Sequence, residues 1–189
     1  METRQIQSNF TIDSESRTVE GYAVVFDSES EDLGWIEVIH RGAITEDTIA
    51  NSDVFARFNH SDEKVLARSK QGKGSLSLTV DDKGVKYRFQ APKTALGDEL
   101  LEYLHRGDIT SSSFAFTIPK EEEGAERWYK KDGQIYRDIY KIDKLYDVAP
   151  VFSPAYEATS CSARYEEVKA NSDEIDKKME LLKKEIEEL

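Results

Sequence analysis

Apolar residues in this chain recur at every second position, in runs of strand length, and turn-forming residues close each run. Leu76, Leu78 and Val80 alternate, Asp81-Asp82-Lys83-Gly84 turns the chain, and Val85, Tyr87 and Phe89 alternate back, which predicts a hairpin. Ile6, Ser8, Phe10 and Ile12 alternate with polar neighbours and predict an opening strand. Val19 to Phe26 is more continuously apolar, as expected of a strand covered on both faces. Trp35 to Ile39 reads as a short strand. Val54, Ala56, Phe58 and His60 fall on one face of the next, with His60 at its end before the polar turn Ser61-Asp62. Lys131-Asp132-Gly133 marks a further hairpin, with Tyr136 to Ile142 as its second arm. Lys144 to Phe152 is a strand stopped by Ser153-Pro154. The helical patterns are short: Ile44 to Ala50, and one capped by Thr94 that carries Leu96, Leu100 and Leu104 at spacing four and ends at Gly107. Many short strands at regular spacing predict an α+β, mainly β fold, a mixed and mostly antiparallel β-barrel, closed or nearly so, with flanking short helices.

From about Tyr165 the pattern changes. Val168, Ile175, Met179, Leu182, Ile186 and Leu189 are spaced by seven, four, three, four and three, with Lys and Glu between them. That heptad seam divides the chain into a β-barrel domain over 1–164 and a C-terminal amphipathic, coiled-coil-like helix over 165–189. The alternative is a solvated terminal helix folded back on the domain. An isolated helix of this length is marginal without packing, so the seam predicts self-association or a helical partner. The polar residues 169–173 between domain and seam read as a weakly structured linker and a candidate site of self-cleavage. The net charge of -12 argues against binding to duplex DNA, which needs clustered Lys and Arg. Cys161 is the single cysteine, which excludes an intramolecular disulfide and fits a reducing compartment. No secretory signal and no apolar run of membrane-spanning length is legible, so an intracellular protein is expected, with no membrane contact. There is no Gly-rich phosphate loop, and His40, His60, His105 and Cys161 lie at no ligand spacing, so neither cofactor nor metal is expected.

Gly107-Asp108-Ile109-Thr110-Ser111-Ser112-Ser113-Phe114-Ala115-Phe116 opens on a turn glycine and ends as a strand. Phe114, Phe116 and Ile118 share one face, and Ser113, Ala115 and Thr117 the other. A strand that buries its phenylalanines presents Ser113 between small neighbours, which gives a nucleophile access and room for an incoming carbonyl. Ser112 is a rival by adjacency, but period-two counting sends it to the phenylalanine face. His60 and Asp147 stand on two other strands. A hydroxyl needs a base to remove its proton, and the imidazole needs a third group to hold its tautomer, so Ser113, His60 and Asp147 form a sensible unit. Each has a plainer reading: a polar strand entry, a turn histidine satisfied by Ser61 or Asp62, and a surface carboxylate on an edge strand.

Six stretches, in this order, resemble a known family: Val19-Glu20-Gly21-Tyr22-Ala23-Val24-Val25-Phe26; Ile39-His40-Arg41-Gly42-Ala43; Phe58-Asn59-His60-Ser61; Leu104-His105-Arg106-Gly107-Asp108-Ile109; Ser113-Phe114-Ala115-Phe116; and Val148 through Ser153-Pro154-Ala155-Tyr156. The chain, over roughly 17–164, resembles the tailed-bacteriophage (caudovirus) prohead maturation serine proteases, which are similar in fold to herpesvirus assemblin. The resemblance implies Ser113 as nucleophile, His60 as general base and Asp147 as third member. Asp147 departs from the glutamate more usual in the family and from the second histidine of its herpesvirus relatives. Ser111 and Ala115 stand where glycine is common. The resemblance further implies an endopeptidase that cleaves the scaffolding segment, the major capsid protein and itself, inside the prohead in the host cytoplasm. The reading of another class is a non-enzymatic internal scaffold, a β-barrel with a coiled-coil tail.

Overall fold

In a computed structural model that describes residues 1–152 and 169–170, the alternating runs become thirteen strands and two helices over residues 1–152. In chain order these begin with β1 (Glu2–Gln7), β2 (Thr11–Asp13), β3 (Thr18–Val25) and β4 (Ile36–Ile39), followed by α1 (Glu46–Ala50). Next come β5 (Asp53–Arg57), β6 (Val65–Lys70), β7 (Lys73–Gly74), β8 (Leu76–Val80), β9 (Gly84–Gln90) and α2 (Ala95–Arg106). The last four are β10 (Ser111–Thr117), β11 (Glu126–Lys131), β12 (Gln134–Ile139) and β13 (Lys144–Val151).

The local signals act as chemistry requires. Thr45 caps α1 and Thr94 caps α2, each accepting a backbone N–H through its side chain. Gly107 closes α2 at φ 73°, a left-handed conformation that costs glycine nothing. Leu100, Leu101 and Leu104 bury the inner face of α2. Gly97 lets that helix approach the preceding loop, because a Cβ there would stand 2.0 Å from the carbonyl oxygen of Pro92.

The strands form three sheets, with orders β1-β10-β13-β5-β6-β7, β2-β3-β9-β8 and β11-β12-β4. All pairings are antiparallel except β13 with β5 and β12 with β4. The first two sheets pack against each other over one core. Phe114, Phe116, Val148, Val54 and Ala56 enter it from one side, and Val19, Val85, Tyr87, Phe89 and Leu76 from the other.

The mainly β, mixed architecture is present, but the closed barrel is not. The expected opening strand is cut in two at Ser8. Its N–H donates to the carbonyl of Thr110 at 3.0 Å, and its hydroxyl accepts from the Tyr22 N–H at 3.2 Å. The chain therefore crosses from the edge of one sheet to the edge of the next, and no continuous ladder joins them. The strand expected to run to His60 also stops early, at Arg57. Alternation over 65–74 is too weak to announce β6 and β7; Leu66, Ala67 and Ser69 are buried in β6, and β7 has two residues. The 164/165 boundary and the heptad helix lie outside the described residues, apart from helical residues 169–170.

Sheet β11-β12-β4 joins the first sheet through a buried ionic cluster. Arg137 on β12 binds Glu2 on β1, Glu37 on β4 at 2.9 Å and Glu126 on β11 at 2.7 Å. Arg4 on β1 binds the same Glu37 at 2.6 Å. Arg137→Ala takes one of two guanidiniums from the buried Glu37 carboxylate, and a loss of about 3 kcal/mol is expected. Urea unfolding with an unchanged m-value and a lowered midpoint measures it.

Candidate active site

Strand pairing places two of the candidate side chains. In the antiparallel pair β10–β13, Ser113 lies opposite Ala149 and Ala115 opposite Asp147. Opposed residues point to the same face, as do residues two apart, so Ser113 and Asp147 share a face one diagonal step apart. The parallel pair β13–β5 then sets Phe55 opposite Asp147, which brings Arg57 to that face as well. The register shifts opposite Ala115/Phe116 and opposite Ala56/Arg57, where β13 carries the extra residue Tyr146 and β6 the extra residue Leu66.

His60 arrives by a turn. Phe58 is buried against Tyr103 and Phe152, with ring centroids 6.1 and 5.5 Å away, and it anchors the end of β5. Asn59 and His60 then both take left-handed conformations, at φ 54° and 58°. Such a pair is costly for non-glycine residues and persists only where its surroundings enforce it. Here the enforcement is backbone hydrogen bonding. Asn59 N–H donates to the carbonyl of Pro150 at 3.1 Å, Ser61 N–H to that of Phe58 at 3.1 Å, and Phe58 N–H to that of Lys64 at 2.9 Å. The turn swings the imidazole off the face of Phe58 and over the face of Ser113.

The three side chains meet. His60 Nδ1 is 3.0 Å from Asp147 Oδ1, and His60 Nε2 is 2.5 Å from Ser113 Oγ. A carboxylate only accepts, so Asp147 fixes the proton on Nδ1 and leaves the Nε2 lone pair toward the serine. The backbone carbonyl of Arg4 lies 2.7 Å from the same Ser113 Oγ and is the second acceptor within reach of its single proton. Asp147 is buried, with 3% of its side chain exposed against 29% for His60, so the imidazole is the member that solvent reaches.

The sequence reading missed Arg57. Its Nη1 donates to Asp147 Oδ2 at 3.1 Å, leaving Oδ1 for the imidazole, and its Nη2 meets Asp62 at 3.0 Å. Its guanidinium lies over the Phe55 ring, 4.9 Å from the centroid. The available signal was a cation three residues before His60 on a strand whose alternate positions are apolar. Ser112 lies on the core side: its Oγ is 2.8 Å from the Tyr87 hydroxyl, and both residues are buried. Burial pushes the Tyr87 phenol well above its ordinary pKa, so that partner stays a neutral hydroxyl. His40 sits elsewhere between Asp27 and Asp138, and His105 meets Ser14 and the carbonyl of Leu101. Among the described residues no three His, Cys, Asp or Glu side chains gather as a metal site, and no helix is long and apolar enough to cross a membrane.

A family model described as the caudovirus prohead serine protease matches residues 2–174. The solved capsid assembly protease of bacteriophage T4 is similar at 11% identity with a TM-score of 0.45, over 81% of this chain and 100% of that one. No curated protein matches.

The left-handed turn gives a test of its own. Asn59→Val puts a β-branched side chain at φ 54° and is expected to cost about 2 kcal/mol, whereas Asn59→Gly is expected to be neutral or stabilising. Thermal unfolding of the two variants beside the parent measures the difference.

Proposed function

The chain belongs to the caudovirus prohead serine protease family, and we propose that Ser113, His60 and Asp147 are the residues with which this serine protease cuts peptide bonds. The observation that carries the reading is the unbroken run of contacts from Ser113 Oγ through the imidazole to the Asp147 carboxylate, at 2.5 and 3.0 Å.

In this reaction Ser113 Oγ forms a bond to the peptide carbonyl carbon while His60 Nε2 takes the hydroxyl proton. The tetrahedral intermediate then breaks its C–N bond, and Nε2 returns the proton to the leaving amine. Water repeats the sequence on the acyl-enzyme and releases the acid. Asp147 holds the Nδ1 proton and stabilises the imidazolium that forms twice in the cycle. Arg57 holds the far oxygen of that carboxylate.

The substrates on this reading are the major capsid protein with its scaffolding segment, and the protease itself, within the prohead in the host cell. Family membership supports that assignment. Confinement with its substrate in a shell would let the enzyme act with modest intrinsic affinity, through high effective concentration. The apolar seam spacing over 165–189 supports self-association or recruitment through that segment, with cleavage near 169–173 releasing the domain.

Ser113→Ala and His60→Ala are each expected to remove proteolysis by roughly a factor of 10⁶ without loss of folding, since residues acting as a unit fail together. Asp147→Asn is expected to cost less, about 10⁴-fold. Ser112→Ala should cleave normally, because its hydroxyl is committed to Tyr87. Mass spectra of capsid and scaffolding polypeptides co-expressed with each variant distinguish these outcomes. Complete processing by Ser113→Ala would overturn the assignment and the reaction with it.

A further inference from the structure

An acyl-transfer site needs hydrogen-bond donors aimed at the oxyanion that develops in the transition state. The backbone beside the proposed nucleophile is poorly placed to supply them. β10 is flanked by β1 on one side and β13 on the other along Ser111–Phe116, so its N–H groups are taken by two ladders. In the histidine turn, the N–H groups of Asn59 and Ser61 are bonded to Pro150 and Phe58.

Two side-chain donors near Ser113 are buried without a hydrogen-bond partner among the described residues: Arg57 Nε, whose guanidinium is already held by Asp147 and Asp62, and Gln5 Nε2, whose carboxamide makes no such contact. Gln5 on β1 lies directly opposite Ser113 in the antiparallel register. Directly opposed side chains point to the same face with Cβ atoms about 5 Å apart, so the Gln5 side chain leaves β1 on the face where His60 meets Ser113. Its Nε2 is buried and has no hydrogen-bond partner among the described residues. A buried, unpaired amide costs stability and calls for an explanation in the site it occupies. The strand that carries it is held firmly: Arg4 next door is clamped by Glu37 and Glu2, and its carbonyl lies 2.7 Å from Ser113 Oγ.

We propose that the Gln5 side-chain amide is a catalytic residue, donating to the oxyanion of the tetrahedral intermediate formed at Ser113. The proposal rests on Ser113 being the nucleophile. An N–H that is unpaired at rest and paired only once charge develops on the substrate oxygen strengthens in the transition state alone. Its removal therefore lowers kcat and leaves KM in place.

The full chain carrying Gln5→Met, which keeps length and loses the donor, is compared with the parent on a fluorogenic peptide built on a mapped cleavage junction. The expected result is a fall in kcat of about 10²- to 10³-fold with KM unchanged. Inhibition by a peptidyl aldehyde, whose adduct with the serine bears the oxyanion, should weaken in step. Gln5→Glu, which replaces the donor by a negative oxygen, should be worse than Gln5→Met. Labelling by a fluorophosphonate, located by mass spectrometry, reports on the nucleophile separately. If the label or the activity survives Ser113→Ala, the nucleophile assignment falls and this proposal with it. If Ser113 is the labelled nucleophile and Gln5→Met keeps kcat within about threefold, only the role of Gln5 is overturned. A fall in kcat with unchanged aldehyde inhibition would likewise overturn it, since that pattern marks a structural role.

Discussion

The register of three neighbouring strands governs everything at the site. β13 pairs with β10 so that Ser113 faces Ala149, and with β5 so that Asp147 faces Phe55. Side chains alternate with a period of two, so a slip of one residue would send Ser113 into the core and bring Ser112 out. The core itself resists that slip. Phe114, Phe116 and Val148 pack into the apolar core on the opposite face, and exchanging them for serine, alanine and aspartate would set a carboxylate in that core, away from the Arg57 and His60 that partner it. Hydrophobic burial on one face of the sheet thus fixes the chemistry presented on the other.

Charged groups complete what the ladders begin. Burial alone would lower the pKa of the Arg4 guanidinium, but the charges and hydrogen bonds of Glu37 and Glu2 more than offset this and hold it above its ordinary value. That cluster, with Arg137 at its centre, spans strands from two sheets whose ladders do not meet. Buried ion pairs are weak evidence for net stability, because desolvation opposes the Coulombic gain. Their directional geometry is better suited to holding β1 in place against β10. Arg57 plays a similar part at the other end of the site, where it occupies one carboxylate oxygen of Asp147 and leaves the second to the imidazole.

What could be read from the sequence depended on range. The β8–β9 hairpin, the caps of α2 and the faces of β10 depend on residues within a few positions of one another, and they stand as the patterns predict. The split of the opening strand at Ser8 depends on Thr110 and Tyr22, which no local pattern announces, and it is what leaves the sheets open. His60 reaches the site by a route the local pattern does not describe. Phe58 is buried in phase with Val54 and Ala56, so the alternation in the sequence continues past the end of the strand, yet two left-handed residues break it and turn the imidazole to the other face. Arg57 and Gln5 were invisible for a related reason. Each is an ordinary polar residue on a strand, and only pairing across 90 and more residues gives it a partner or a place.

The serine hydroxyl adds a constraint of its own. It has one proton and two acceptors within reach, His60 Nε2 at 2.5 Å and the Arg4 carbonyl at 2.7 Å. While the Nδ1 proton is held by Asp147, Nε2 competes with a backbone carbonyl for that proton. The Arg4 carbonyl cannot stabilise an alkoxide, because it has no proton to give and presents its own negative end. Transfer to Nε2 before a substrate carbonyl is in place would therefore set an unbalanced negative oxygen against a dipole of the same sign. Transfer concerted with attack avoids this, since the charge then moves away from Oγ onto the substrate oxygen. The strand β1 in this view discourages premature ionisation of the proposed nucleophile through its carbonyl, while the residue beside it faces the position where the charge must go.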